Sequence, residues 1–136
     1  MAQPPIVRMN PSTLPDAGQL GYSQISIVPP GRIAYVSGQV AARADGAPVP
    51  ESHGAQMEIV ARNAAAALDA LGAEPHDIAI ARCYVVDLTP QTLDEIYPAL
   101  LAFLDGAQPS ITGVGVAALA GPDLKVELEL TVRLPD

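Results

Sequence analysis

The sequence predicts a single α+β domain in which a mixed β-sheet carries two helices packed on one face. Two segments place apolar residues at helical spacing, and a segment near the C-terminal end alternates apolar and polar residues. The predicted elements follow the order β-β-α-β-α-β-β, which is typical of one sheet covered by helices on one side. The other face of the sheet then needs a different cover.

The N-terminal part of the chain predicts an arm followed by a hairpin. Residues 1–23 are interpreted as an extended arm, because prolines and glycines recur in them. Residues 24–28 and 32–40 are rich in β-forming residues and predict two strands. Pro29-Pro30-Gly31 lies between them as a turn, so these two strands are expected to pair with each other.

Two helices are predicted from their caps and apolar stripes. The first follows Ser52 as N-cap and ends at Gly72. The second starts at Thr89-Pro90, where proline is tolerated in the first turn, and ends at Gly106. Pro98 lies inside the second helix and is expected to kink or split it, since proline removes a helical hydrogen bond.

Three further strands are predicted at residues 78–88, 110–119 and 124–134. The last alternates regularly, which predicts one buried and one polar face. Its apolar positions are Leu124, Val126, Leu128, Leu130 and Val132, and its polar positions are Lys125, Glu127, Glu129, Thr131 and Arg133.

The charge of the chain argues against nucleic acid as a partner. Fifteen acidic and seven basic residues give a net charge of −8, and the basic residues are scattered. Phosphate binding needs clustered lysine and arginine. Only 16% of the residues are charged, against about 25% in a typical soluble domain, so part of the apolar surface is expected to be covered by a second subunit.

The remaining composition predicts a cytoplasmic protein without a cofactor. No apolar run is long enough to span a membrane, and no signal peptide is recognised. Cys83 is the one cysteine and is expected to be a small buried hydrophobic residue rather than a nucleophile. His53 is expected on the solvated surface, and neither histidine lies near a carboxylate cluster, so no metal site is predicted.

Several short motifs together resemble one family. They are Gly21-Tyr22-Ser23-Gln24, Tyr35-Val36-Ser37-Gly38-Gln39-Val40, Ala55-Gln56 with Asn63, Leu71-Gly72-Ala73, Val85-Val86-Asp87-Leu88, Val114-Gly115-Val116-Ala117-Ala118-Leu119 and Lys125-Val126-Glu127-Leu128-Glu129. In this order they resemble the RidA (YjgF, or L-PSP endoribonuclease-like) family over nearly the whole chain. The resemblance implies a chorismate-mutase-like fold, a homotrimer, and ligand clefts between neighbouring subunits.

The resemblance also implies a chemistry and a departure from it. The best-known branch hydrolyses enamines and imines such as 2-aminoacrylate, and an arginine holds the substrate carboxylate in a bidentate contact. Here Ile111 occupies the position of that arginine, Gly113 the position of a frequent cysteine, and Gly115 that of a glutamate. These three departures on one strand face imply that the floor of the pocket differs from that of the best-known branch and is apolar, with more free volume. The alternative is that the small residues allow the subunits of the trimer to pack more tightly.

The resemblance supplies the candidate site residues. Glu127 is the candidate catalytic residue, which would orient or deprotonate the attacking water; the alternative is a structural ion pair with Lys125 or Arg133. Gly38 marks either a place where the backbone comes close to another group or a β-bulge, and Tyr22 either closes the cleft or anchors the arm. The candidate substrate-binding residues are Tyr22, Ser37, Gly38, Gln39, Ile111, Thr112 and Gly113.

Three functions stay open at this point. The first is an imine or enamine hydrolase whose substrate lacks the carboxylate or anchors it differently. The second is a trimer that binds a small metabolite without chemistry. The third is the ribonuclease of the family's older name, which the net charge of −8 disfavours.

Overall fold

One four-stranded sheet carries both helices on one face, as predicted. The computed structural model describes residues 5–136. Its elements are β1 (Val7–Met9), β2 (Ile25–Ile27), β3 (Ile33–Gln39), α1 (His53–Leu71), β4 (Ile78–Val86), α2 (Pro90–Leu104), β5 (Ser110–Val116) and β6 (Val126–Arg133). The main sheet has the strand order β3-β6-β4-β5, and β1 and β2 form a separate two-stranded ribbon.

The main sheet is mixed. β6 pairs antiparallel with β3 on one side and with β4 on the other. β4 and β5 run parallel and are joined through α2, since parallel neighbours need a crossover connection. β6 therefore occupies an inner position although it comes last along the chain.

The core lies between the sheet and the two helices. Alternate residues of β6 are buried there, which confirms the predicted alternation. The helices contribute residues of their inward faces, including Met57, Val60, Ile96 and Leu100. We refer to this side of the sheet as the helix face and to the opposite side as the open face.

The predicted hairpin between residues 24–28 and 32–40 is wrong. β2 pairs with β1, which lies inside the predicted arm, and Met9 stands opposite Ile25. β3 pairs with β6 instead of β2. The carbonyls of Pro29 and Pro30 accept hydrogen bonds from the Arg133 guanidinium, and neither proline has an N–H for a strand partner. The connection therefore turns around a buried arginine instead of closing a hairpin.

The N-terminal segment is fastened to the sheet by Arg8. Its guanidinium donates to the Ser26 hydroxyl and to the Ile78 carbonyl, both at 2.7 Å. Burial lowers the pKa of Arg8. Within the predicted arm the structure shows β1 and a short 3₁₀ helix, Gly18–Leu20, while residues 1–4 of that arm lie outside the described part.

The helix starts agree with their predicted caps. The Ser52 hydroxyl accepts from the Ala55 amide at 3.1 Å, and the Thr89 hydroxyl accepts from the Thr92 amide at 3.1 Å. Pro98 does not split α2, which is continuous from Pro90 to Leu104 with Pro98 exposed on its outer side. The C-cap of α2 is Asp105, with φ of 48°, one residue before the expected Gly106.

The predicted surface position of His53 is also wrong. The residue is buried, and its Nε2 lies 2.7 Å from the Val86 carbonyl oxygen. The first turn of α1 packs on the end of β4, so the ring links two elements of the core. No helix in residues 5–136 is both long and apolar enough to cross a membrane.

Candidate functional site

The predicted site residues lie on two sides of the sheet. Ile111 and Gly113 stand opposite Ala81 and Cys83 of β4, which are buried under the helices, so they belong to the helix face. Glu127 stands opposite Tyr84 and belongs to the open face. One subunit therefore does not bring Ile111 and Glu127 into a single pocket.

On the helix face, Ile111 and Gly113 border a cavity of about 410 Å³. We call it the helix-side cavity. It lies between the edge strand β5, helix α2 and the N-terminal segment, and its walls are Leu20, Tyr22, Cys83, Val85, Leu88, Leu93, Asp94, Ile96, Tyr97, Leu100, Ile111 and Gly113. The structure thus brings three of the predicted residues together, namely Tyr22, Ile111 and Gly113.

The two strand glycines of β5 differ in the space around them. A Cβ atom built on Gly113 would meet no atom within 4 Å. A Cβ on Gly115 would lie 3.2 Å from the Cβ of Leu88. The room expected from these glycines is therefore present at Gly113, whereas Gly115 allows close packing inside the subunit.

Tyr22 is held beside the cavity by the backbone around it. Its amide donates to the Ala17 carbonyl at 3.3 Å, and Gly21 turns the chain with φ of 88°. The neighbouring wall residue Tyr97 donates its hydroxyl to the Leu20 carbonyl. Burial, with a smaller contribution from Tyr22, raises the pKa of Tyr97. The raised pKa keeps the Tyr97 hydroxyl protonated at physiological pH, and its hydrogen bond to Leu20 joins α2 to the N-terminal segment.

Cys83 forms part of the cavity wall without a reactive thiolate. The side chain is 3% exposed, and burial raises its pKa to about 11. The thiol is therefore protonated at neutral pH, while the thiolate is the nucleophilic form. The prediction of a small buried hydrophobic residue is confirmed.

On the open face, Glu127 lies against the backbone of Gly38. A Cβ atom on Gly38 would be only 2.4 Å from the Glu127 Cδ, so glycine is needed for the carboxyl group to rest there. The β3–β6 pairing also shifts register between Val36 and Gln39, which is the predicted bulge. Gly38 thus lies at a bulge and close to the Glu127 carboxyl group, and its contact with a ligand stays a prediction.

Glu127 has no ion pair within the described chain, so the alternative of a structural ion pair with Lys125 or Arg133 is wrong for a single subunit. The Lys125 ammonium donates to the Glu51 carbonyl. The Arg133 guanidinium donates to the carbonyls of Pro29 and Pro30, and it pairs with Asp136. Both cations have other partners, and the half-buried Glu127 carboxylate keeps its lone pairs available.

The second acid of β6 is paired, in a group that the sequence analysis did not identify. Glu129 accepts a hydrogen bond from the Tyr84 hydroxyl at 3.0 Å and lies 3.6 Å from the Arg82 guanidinium. This hydrogen bond is the main cause of a raised Tyr84 pKa. The group depends on the β4–β6 register, in which Arg82 stands opposite Glu129.

The other predicted residues are nearby on the open face or at the bulge. Ser37 is exposed and shares a shallow depression with Tyr35, Arg82 and Glu129. Gln39 donates its side-chain amide to the Ser37 carbonyl at 2.9 Å. Thr112 is exposed and stands opposite Arg82, so it does not line the helix-side cavity with its neighbours Ile111 and Gly113.

The open face carries apolar side chains in contact with solvent. Tyr35 is 81% exposed, and Ile33 and Val114 are also exposed. The described residues contain no group of three or more histidine, cysteine, aspartate or glutamate side chains that could hold a metal ion.

Comparisons with known proteins agree with the resemblance. The family model described as Endoribonuclease L-PSP matches residues 15–134. YyfB from Yersinia pestis, a Rid-family protein of unknown function, is 34% identical, with a TM-score of 0.90 over 96% of this chain and 100% of its own. RidA from Psychrobacter sp. PAMC 21119 is 25% identical, with a TM-score of 0.69 over 97% of this chain and 100% of its own.

A YjgF-family protein from Mycobacterium tuberculosis is 25% identical, with a TM-score of 0.65 over 93% of this chain and 98% of its own. No curated protein matches the sequence. The family model covers most of the chain, and the Yersinia protein is similar over its full length. The chain therefore belongs to the RidA (YjgF, endoribonuclease L-PSP) family.

Proposed function

We propose that the protein is an imine or enamine hydrolase in which Glu127 activates water. The observation that carries this proposal is the unpaired carboxylate of Glu127, held against the Gly38 backbone on the open face. A carboxylate engaged in a structural ion pair would be a poorer base. Glu129, two residues on, shows that alternative, since Arg82 and Tyr84 occupy it.

The proposed reaction needs a base that takes a proton from water and a donor that protonates the leaving nitrogen. Glu127 takes a proton from water as the oxygen attacks the carbon of the C=N bond. The resulting carbinolamine collapses when its nitrogen receives a proton and leaves as ammonia, and the carbon becomes a carbonyl. Water is the only co-reactant, so the step needs no oxidant, metal or organic cofactor, and general acid–base catalysis of this type contributes typically about 10²–10⁴-fold.

A composite cleft between subunits of a homotrimer would join the two halves of the site. Glu127, Ser37 and Gly38 on the open face of one subunit would then meet Tyr22, Ile111 and Gly113 of a neighbour. The exposed Tyr35, Ile33 and Val114 support a covered open face. The low charged fraction of 16% supports it as well.

The trimer is directly testable by sedimentation. We expect analytical ultracentrifugation to give the mass of three chains, and Tyr35→Glu to shift the protein toward smaller species, since it places a charge in an apolar contact. The matched change Glu58→Gln, on the outer side of α1, should leave the mass unchanged. A monomeric wild-type protein would remove the composite cleft.

Replacing Glu127 by glutamine tests the catalytic assignment. Short-lived imines are generated in situ from several amino acids and from a carboxylate-free amine, and release of the carbonyl product is followed. We expect Glu127→Gln to slow hydrolysis by about a hundredfold. Glu129→Gln, on the same strand and face, should change the rate by less than about threefold. Equal rates for wild type and Glu127→Gln would contradict the proposal.

Two further variants belong to the same assay. In Gly38→Ala the new methyl group must displace the end of the Glu127 side chain, so the rate should fall as in Glu127→Gln while the fold persists. Because both changes act on one group, the double variant should be no slower than either single variant.

Ile111→Arg should favour imines that carry a carboxylate, since arginine binds carboxylates in a bidentate contact.

A second candidate function is binding of a small metabolite without turnover. The apolar helix-side cavity favours it, because that cavity can hold a ligand without contact to Glu127. Ligand binding together with no hydrolysis by wild type or by Ile111→Arg would select this function. The ribonuclease alternative is disfavoured by the net charge of −8, and binding of single-stranded RNA at physiological salt would restore it.

A further inference from the structure

The helix-side cavity has a distinctive distribution of charge. Apolar and aromatic side chains form most of its walls, and Asp94 is the one charged residue among the described residues that line it. Asp94 lies on the exposed side of α2 and has no ion pair or hydrogen-bond donor for its carboxylate in residues 5–136. The cavity therefore combines an apolar interior with a negative charge at its edge.

Pro98 removes one backbone hydrogen bond from the same turn of α2. In a regular helix the Asp94 carbonyl would receive the amide of the residue four positions later. That residue is Pro98, which has no N–H. The bond from residue 98 to the Asp94 carbonyl is therefore absent, and the Tyr97 hydroxyl beside it donates to Leu20.

We propose that the helix-side cavity takes an organic cation, namely a protonated amine or an iminium ion, on an apolar body without a carboxylate. This inference rests on the proposed function and names the substrate class. A carboxylate would meet Asp94, the apolar Ile111 and an overall negative field, while an ammonium or iminium group would meet a complementary charge. Hydrolysis of such an iminium ion by water yields a neutral aldehyde or ketone and ammonium, so the positive charge leaves the organic product together with the nitrogen.

The volume and the open side of the cavity agree with this class. A cavity of about 410 Å³ is large enough for an aryl ring with a short side chain. Gly113 leaves free space at the floor, since a Cβ there would contact nothing within 4 Å. The first atom of a side chain at this position would therefore displace no neighbour.

The test compares three probes of similar shape and different charge. Binding of phenethylamine, phenethyl alcohol and phenylpropionate to the full-length protein is measured by calorimetry at neutral pH. We expect the amine to bind about fivefold more tightly than the alcohol, which corresponds to an exposed charge pair. Phenylpropionate should bind most weakly, and high salt should reduce the preference for the amine.

Three variants assign that preference to the site. Asp94→Asn should lower the affinity for the amine to that for the alcohol and leave the affinity for the alcohol unchanged. Glu95→Gln makes the same change in net charge one residue away, outside the cavity wall, and should keep the fivefold preference. Gly113→Leu should abolish binding of all three probes while the melting temperature stays within a few degrees of wild type.

Several outcomes would overturn the inference. They are equal affinities for amine and alcohol in wild type, an equal loss of preference in Glu95→Gln and Asp94→Asn, and no binding of any probe. The binding order does not depend on Glu127, so Glu127→Gln should preserve it. Preserved binding without hydrolysis would therefore refute the proposed function alone, and hydrolysis of imines without a preference for cations would refute this inference alone.

Discussion

Replacing Gln56 by leucine is expected to lower the free energy of unfolding by about 3–5 kcal/mol, because buried partners lose their hydrogen bonds. Gln56 is fully buried in α1. Its amide nitrogen donates to the carbonyls of Pro50 and Asp123 at 2.9 and 2.8 Å, and its oxygen accepts from the Lys125 amide at 2.8 Å. Leucine has a similar size but can satisfy none of these three backbone groups.

Urea unfolding followed by circular dichroism measures this effect. Asn63→Leu is the matched control, because Asn63 also donates to two carbonyls, at 2.9 and 2.8 Å, but near the surface where water can replace it. We expect the control to lose about 1 kcal/mol. Equal losses for the two variants would mean that burial of the partners does not determine the cost. Gln56 also holds the segment that leads into β6 through its bonds to Asp123 and Lys125. We therefore expect Gln56→Leu to disturb the position of Glu127 as well.

Gly31→Ala is expected to destabilise the protein by about 3 kcal/mol or more, through backbone strain and a steric clash. Gly31 has φ of 154°, which favours glycine. A Cβ atom there would lie 2.0 Å from the Arg133 Cζ and 2.1 Å from one of its terminal nitrogens. Arg133 is 2% exposed, and its guanidinium donates to Pro29, Pro30 and Leu134, so it has no room to withdraw.

The chain provides a control for this variant in Gly46. This glycine also has a positive φ, 74°, but a Cβ on it would meet nothing within 4 Å. Gly46→Ala should therefore show only the backbone cost, about 1 kcal/mol. Thermal melts of both variants separate the two contributions. A melting temperature for Gly31→Ala equal to that for Gly46→Ala would contradict the clash with Arg133.

The helices and the alternation of β6 were predictable because both patterns are local. Ser52 and Thr89 mark helix starts through contacts within three residues, and the alternation of β6 follows from strand geometry alone. The pairing of β1 with β2 and of β3 with β6 depends on contacts between residues far apart in the chain, such as Ile33 opposite Arg133. The hydrogen bond from Arg133 to Pro29 is one of them, and no local pattern indicates it.

The candidate site shows the same division. The resemblance to the family was enough to identify Glu127, Gly38 and Ile111. Only the side-chain positions in the structure show that Lys125 and Arg133 bind other partners than Glu127. The placement of Ile111 and Glu127 on opposite faces follows from the register between strands, and so does the pairing of Arg82 with Glu129. Asp94 was missed because a single acid in a helix carries no signal until the wall around it is known.

The inner position of β6 has a consequence for synthesis of the protein. β6 is translated after every other strand, and yet it separates β3 from β4 in the sheet. While β6 is still inside the ribosome, the nascent chain can pair β4 with β5. At that stage β3 and one edge of β4 have no strand partner. Such unpaired edges can associate with other chains. The protein therefore completes its sheet only after translation has passed β6, and a stall before that point would leave an aggregation-prone intermediate.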